Sequence, residues 1–240
     1  MSTSEKTIIT GDDKPASLYN EIGYEATKRA SLGSFGSLGY AGLATAGTLG
    51  VLIASACSSD KTTNPIVYPA VISLPLTSDT DILKFALFLE LLESDFYTKA
   101  VASGVLSGPV ATLCASIQRH EAAHVAALQA ALGANAFTAN DVGFNFGTAL
   151  ASQASFLATS QTLEMTGVGA YLGALPSISS KAVRTTAGSI FTMECRHYSA
   201  IRVFNNAPGG PVPNAFETGV PAATVLAAVK STNFVTKGLG

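Results

Sequence analysis

The chain has 240 residues, with 14 Lys and Arg against 16 Asp and Glu, a formal net charge of -2. Charged residues make up only 12% and apolar residues 48%, which excludes a disordered polyelectrolyte and leaves no basic stripe for nucleic-acid phosphates. The 3 cysteines, an odd number, exclude a disulfide scaffold, and the length supplies ample material for one sizeable core.

Residues 1–29 are polar and end in Lys28-Arg29, and no charge occurs between Ala30 and Ser59. Within that run, residues 41–57 read AGLATAGTLGVLIASAC. A basic pair, a moderately apolar stretch and then small residues form an export-signal pattern. The Lys-Arg pair resembles a twin-arginine signal with one Arg replaced, and Leu52 to Cys57 resembles a lipoprotein cleavage site with Cys57 as the lipidated residue. A membrane anchor within 30–59 and a buried Gly-rich element are the alternatives; an anchor wants about 20 predominantly apolar residues. The expected location is outside the cytoplasm, in a bacterial periplasm or cell envelope. Residues 58–76 carry three Pro and no helical period, so they read as a linker or an arm lying on the domain. The expected domain is 77–205, and 206–240 is a C-terminal tail.

Apolar residues at three- and four-residue steps predict four long helices. The first spans about 78–103, with Ser78, Thr80 or Asp81 as cap. The second spans about 109–132, opened by Pro109 and closed by Gly133. The third spans about 148–175, stopped by Pro176, and the fourth about 180–205, followed by APGGPVP. A short helix over 222–230 completes the chain. A few residues join the first pair and a few the second, so each pair is an antiparallel hairpin. Fifteen residues, Gly133 to Gly147, separate the hairpins and reach about 45 Å at roughly 3.3 Å each, enough to cross a bundle end to end. The fold class is therefore all-α, two hairpins joined by one long crossover, the connectivity of ferritin-like bundles.

Chemistry sits where an apolar helix should carry none. Glu121-Ala-Ala-His124 and Glu194-Cys-Arg-His197 are both Glu-x-x-His, in a chain with only 3 His. At i and i+3 the two side chains share a helix face. Glu164 is the only charged residue between Asp141 and Lys181, and an unpaired buried carboxylate is costly unless it is protonated or held by a cation. Glu90 stands in FALFLELLESDFY, with Tyr97 seven residues on, as Tyr171 is seven residues after Glu164; two turns bring each Tyr onto its own Glu's face. Glu90 to Glu121 is 31 residues and Glu164 to Glu194 is 30; Glu90 to His124 is 34 and Glu164 to His197 is 33. The two hairpins repeat one pattern.

That ligand set, one Glu from each of two helices and a Glu-x-x-His from each of the others, resembles the ferritin-like di-iron and di-manganese carboxylate proteins. The segments DILKFALFLELLESDFY, RHEAAHVAAL, QTLEMTGVGAYLGAL and MECRHYSAIR, with the tail NAFETGVPAATVLAAV, are similar to exported ferritin-like proteins related to plant desiccation-associated proteins. The resemblance covers about 77–235. It implies that Glu90 and His124 serve mainly one metal, Glu164 and His197 mainly the other, and that Glu121 and Glu194 bridge them. Carboxylates with two imidazoles suit iron or manganese, and zinc also fits.

Around this set stand blander residues. Glu93, one turn from Glu90, is an alternative or additional ligand, and the spacing favours Glu90. His120 points about 100° from Glu121 and reads as an ordinary, partly exposed histidine. Arg119, Arg196 and Arg202 read as charges at the surface or behind the ligands. Tyr97 and Tyr171 read as hydrogen-bonding partners of ligand carboxylates that steer protons, with plain core aromatics as the alternative. Cys114 and Cys195 fall too far apart along the bundle for a disulfide. The expected function is an exported protein with a di-metal centre that reacts with dioxygen or peroxide in stress protection, and the alternative is a non-enzymatic envelope or stress protein stabilised by its metal. Iron storage in a closed cage suits a tethered chain less well. The third helix, with almost no charge on any face, needs cover from the arm, the tail or a second copy, and a homo-oligomer is expected.

Overall fold

The computed structural model describes residues 70–239. The export or anchor segment expected over 1–57, including Cys57, and the start of the arm expected over 58–76 lie outside the described residues.

Helix α1 (Asp79–Ser103) begins where Ser78 Oγ accepts from the Asp81 amide at 3.2 Å. Asp81 in turn accepts from Ser78 Oγ at 2.8 Å and from the Thr77 amide at 3.0 Å. These bonds satisfy donors that a helix start leaves unpaired. Gly104, at φ 73, turns the chain in a left-handed conformation open chiefly to glycine. Helix α2 (Gly108–Leu132) follows with Pro109 in its first turn. Helices α3 (Gln153–Ala174) and α4 (Lys181–Phe204) form the second hairpin, and α5 (Ala222–Ser231) is the short C-terminal helix. α1 packs along α2 and α3 along α4. Asp79 fastens the ends together: its two carboxylate oxygens accept from the Ser179 and Ser180 amides, each at 2.8 Å. The all-α ferritin-like bundle expected from the sequence is the architecture found.

The third helix starts five residues later than its periodicity predicts. Residues Gly147–Leu150 wind as a 3-10 turn instead. Ser152 and Ser155 then form a reciprocal cap, each hydroxyl accepting from the other's amide at 3.1 Å. A Ser-x-x-Ser box does the work usually assigned to Ser-x-x-Glu, and it outweighs Thr148 as a start.

The crossover is also more structured than its spacing indicates. Its short strand β1 (Gly143–Phe144) pairs antiparallel with β2 (Val235–Lys237) near the C-terminus. This pins the crossover across α1, where Phe144 meets Phe88 edge-on at 5.8 Å and Phe146 meets Phe96 at 5.1 Å. Phe96 also stacks on Phe156 of α3 at 5.3 Å. Phe88, Phe96 and Phe156 are all fully buried, so these aromatic pairs form the core on that side of the bundle.

The tail supplies cover for α3, whose one charged residue is Glu164. Val220 donates its amide to Gly169 O at 2.8 Å, and Val225, Leu226 and Val229 of α5 are buried. Gly173 is glycine by necessity here: a Cβ would lie 2.2 Å from Val220 O. Arg202, expected among surface charges or behind the ligands, is buried. Its guanidinium donates to Gly210 O at 2.8 Å, to Pro208 O and to Tyr198 Oη, which locks the turn that leads into the tail. The arm contributes Ile72, which is buried, and Val71, whose amide donates to Gly238 O at 2.9 Å. Among the described residues, no helix is long and apolar enough to cross a membrane.

Candidate metal centre

The four long helices bring the predicted acidic and imidazole side chains to one depth. Glu90 comes from α1, Glu121 and His124 from α2, Glu164 from α3, and Glu194 and His197 from α4; all six are buried. They sort into two groups whose ligand atoms lie within 4.8 Å of one another: Glu90, Glu121, His124 and Glu194, then Glu121, Glu164, Glu194 and His197. Glu121 and Glu194 belong to both groups, which is the bridging position that the resemblance implies. Each imidazole presents Nδ1 to the carboxylates. His124 Nδ1 lies 3.1 Å from Glu90, 3.2 Å from Glu121 and 3.4 Å from Glu194. His197 Nδ1 lies 3.1 Å from Glu121, 3.3 Å from Glu164 and 3.9 Å from Glu194.

The tyrosines are placed crosswise. Tyr171 of α3 donates to Glu90 Oε1 on α1 at 2.6 Å. Tyr97 of α1 donates to Glu164 Oε1 on α3 and accepts from the Ser160 hydroxyl. Each Tyr therefore serves the Glu of the other hairpin and not the Glu seven residues before it. The two-turn spacing gives both side chains the same direction, but the hydroxyl spans the gap to the facing helix. Burial, with the adjacent carboxylates Glu164 and Glu90 respectively, pushes both hydroxyls well above the ordinary tyrosine range, so both remain donors.

Glu93 is buried as well, yet it lies in neither ligand group. Burial, followed by repulsion from Glu164, Glu121 and Glu90, holds its carboxyl well above the usual range. It is a fifth acid behind the cluster, on the face of α1 one turn from Glu90.

His120 departs from the sequence reading as an ordinary histidine. Its Nδ1 lies 2.9 Å from His197 Nε2, and the two rings lie parallel within 7°, their centroids 5.2 Å apart. It does point away from Glu121, but that direction faces α4. Ser160, one turn before Glu164, and Gly167, one turn after it, are further residues of the site that spacing did not flag. A Cβ on Gly167 would lie 2.7 Å from Glu194 Oε2. A polar Ser and a mid-helix Gly on the Glu164 face were the available signals.

Without a cation the cluster is electrostatically unsettled. Among the described residues, Glu121 Oε1, Glu164 Oε2, both Glu194 oxygens and His197 Nδ1 are buried and have no hydrogen-bond partner. Such atoms are costly unless something else satisfies them. Protons share the burden. Burial raises Glu90 to about 8 despite His124. Burial lowers the affinity of His124 and His197 for protons, but Glu121 and Glu90 beside the first and Glu164 and Glu121 beside the second outweigh it, lifting them to about 9 and about 10. Burial likewise opposes ionisation of Glu121, and the two histidines overcome it and draw that acid down to about 2. Burial, and then the neighbouring carboxylates, hold Glu194 well above the usual range. Two divalent cations match the four ligand carboxylates in charge, displace these protons and satisfy the orphaned atoms, so the residues present fit a di-metal centre. Cys114 and Cys195 are free thiols.

A family model described as "Ferritin-like domain" matches residues 78–207. No curated protein matches the chain. The matched segment contains all four long helices and every residue of the cluster, and it covers more than half of the sequence. The chain is a member of the ferritin-like domain family, with a buried carboxylate and histidine cluster of the di-metal type.

Proposed function

We propose that this chain binds two ions of iron or manganese, with zinc as the other fit, and reacts with dioxygen or peroxide in a protective role outside the cytoplasm. One observation carries the metal reading: unpartnered carboxylate oxygens from three helices and the Nδ1 of His197 converge in a buried space. Such an arrangement is destabilising unless a cation fills it. The extracytoplasmic part rests on the Lys28-Arg29 to Cys57 segment alone.

Glu90 and His124 would hold one ion, Glu164 and His197 the other, and Glu121 and Glu194 both. When bound, redox-active metals of this kind supply electrons to dioxygen or peroxide. The protein supplies the surroundings. Tyr171 and Tyr97 restrain one oxygen each of Glu90 and Glu164 by hydrogen bonds, leaving the other oxygen free to face an ion. Glu93 adds a further buried carboxyl one turn from Glu90. An apolar cavity reaches Tyr171 between Phe85, Leu89, Leu128 and Ala170, with room for about one water-sized molecule. A wider groove shares Ile82, Phe85, Ala170 and Ala174 with it. The exposed surface of the small cavity is apolar, which favours a small apolar molecule such as dioxygen over water.

Elemental analysis of protein from its own source, followed by exposure of the anaerobic ferrous form to air or peroxide, tests this reading. Two iron or manganese atoms per chain and a rapid change in absorption are expected. A protein that loses thermal stability on chelation but shows no reaction with either oxidant supports the other reading, a bundle whose metal is structural. The ligands' origin on four separate helices is the observation on that side, because one cluster then ties the whole bundle together.

A further inference from the structure

The internal repeat makes the two halves of the centre comparable residue by residue, and among the positions at which they differ one bears directly on a ligand histidine. Residue 120 precedes Glu121 as residue 193 precedes Glu194; the first is His and the second Met. His120 Nδ1 stands 2.9 Å from His197 Nε2, with the rings parallel within 7°. Met193 does nothing comparable for His124. Its sulfur accepts from Arg196 at 3.4 Å, and His124 makes its hydrogen bonds through Nδ1 alone.

The tautomers follow from the ligand geometry. Nδ1 of His197 faces Glu121, Glu164 and Glu194. A neutral imidazole that offers Nδ1 as a lone pair carries its proton on Nε2. That N–H sits in a ring only 4% exposed, so it needs an acceptor, and His120 Nδ1 is in place to be one. The bond holds the ring orientation and raises the basicity of Nδ1, the usual effect of a partner behind a metal-binding histidine. Among the described residues the His124 ring has no such partner, and it is 10% exposed.

We infer that His120 is a positioning residue for the ion held through His197, and that it makes the two metal sites unequal. The site of Glu121, Glu164, Glu194 and His197 is the tighter one and fills first. The site built on Glu90 and His124 follows. This rests on the metal reading above.

The test is an anaerobic titration of the full chain with Co(II), followed by calorimetry and visible absorption. Wild type should take up two ions in two resolved steps, and Glu164→Gln should remove the tighter step. His120→Ala should weaken that same step by about 10- to 100-fold and leave the other unchanged. His120→Asn, whose Oδ1 replaces the acceptor, should restore most of the loss. His120→Met, which copies the other half, should bring the two steps together. The metal-free His120→Ala chain should melt somewhat lower, since it leaves the buried His197 Nε2–H without its acceptor, and His120→Asn should recover that loss. Equal weakening of both steps, no weakening, or failure of Asn to restore binding would overturn the inference. A wild-type chain that binds no Co(II) would overturn the metal reading itself, and this inference with it.

Discussion

Tyr171 on α3 donates its hydroxyl to Glu90 on α1 at 2.6 Å, although Glu164 stands on its own helix two turns away. Tyr97 makes the reciprocal bond from α1 to Glu164 on α3. The two bonds cross-link the hairpins through the acids of the candidate centre, so that the position of each acid is set by the opposite hairpin. Tyr171→Phe removes the donor and leaves Glu90 Oε1 buried and unpaired, which costs about 1–3 kcal/mol. A lower melting temperature is expected together with weaker binding of one ion of two, measured by denaturation and metal titration. An unchanged affinity for both ions would show that the hydroxyl is only a core contact.

The metal-free protein should lose stability as the pH rises. Glu90 is lifted from 4.5 to about 8, and His124 and His197 from 6.5 to about 9 and about 10. The folded state thus binds these protons more tightly than the unfolded chain. Their contribution is complete below 4.5 for Glu90 and below 6.5 for the histidines, and it is lost as the pH climbs through the folded values. Glu121, drawn down to about 2 from 4.5, acts oppositely, and its contribution disappears only as the pH falls through that lower window. Melting of chelator-treated protein from pH 5 to pH 10 should show a decline across the range. A rise would contradict the proton assignments.

Metal uptake should show the reverse dependence, because an ion must displace those same protons. Affinity should increase from pH 6 to pH 9, and calorimetry in buffers of different ionisation enthalpy should report protons released on binding. With free metal at 100 times its dissociation constant, binding should add about 2.7 kcal/mol of stability, which chelation then removes.

Gly167→Ala should separate the fold from the site. The new Cβ would meet Glu194 Oε2 at 2.7 Å, the far end of a flexible side chain, so the carboxylate moves and the helix does not. Alanine itself favours a helix interior by up to about 1 kcal/mol over glycine. Stability should therefore change little, while metal affinity falls on the order of 10-fold, the size seen when a ligand's support is lost.

Gly173→Ala should do the opposite. Its Cβ would press on Val220 O at 2.2 Å, a backbone atom that has to carry the tail with it. Overpacking of this kind costs about 1–3 kcal/mol. Limited proteolysis should cut the tail sooner, with the melting temperature lowered and the metal content of the folded protein retained.

The existence and order of the four long helices and the six members of the cluster were readable from spacing, since helical period is a local property and two Glu-x-x-His motifs at matching intervals reinforce each other, though the start of α3 was not. The repeated interval of about thirty residues aligned the two halves without any coordinates. Partners across the bundle were not readable in this way. His120 looked ordinary because its angle to Glu121 says where it points around α2, and only packing puts α4 and His197 in that direction. That Tyr97 and Tyr171 bond to ligand carboxylates was readable, but which Glu each one meets was not, for the same reason. The pairing of β1 with β2 joins residues more than ninety positions apart, through strands too short to leave a periodic trace. A chain carries the direction of each side chain about its own helix, and the neighbour it meets is settled by how the helices come together.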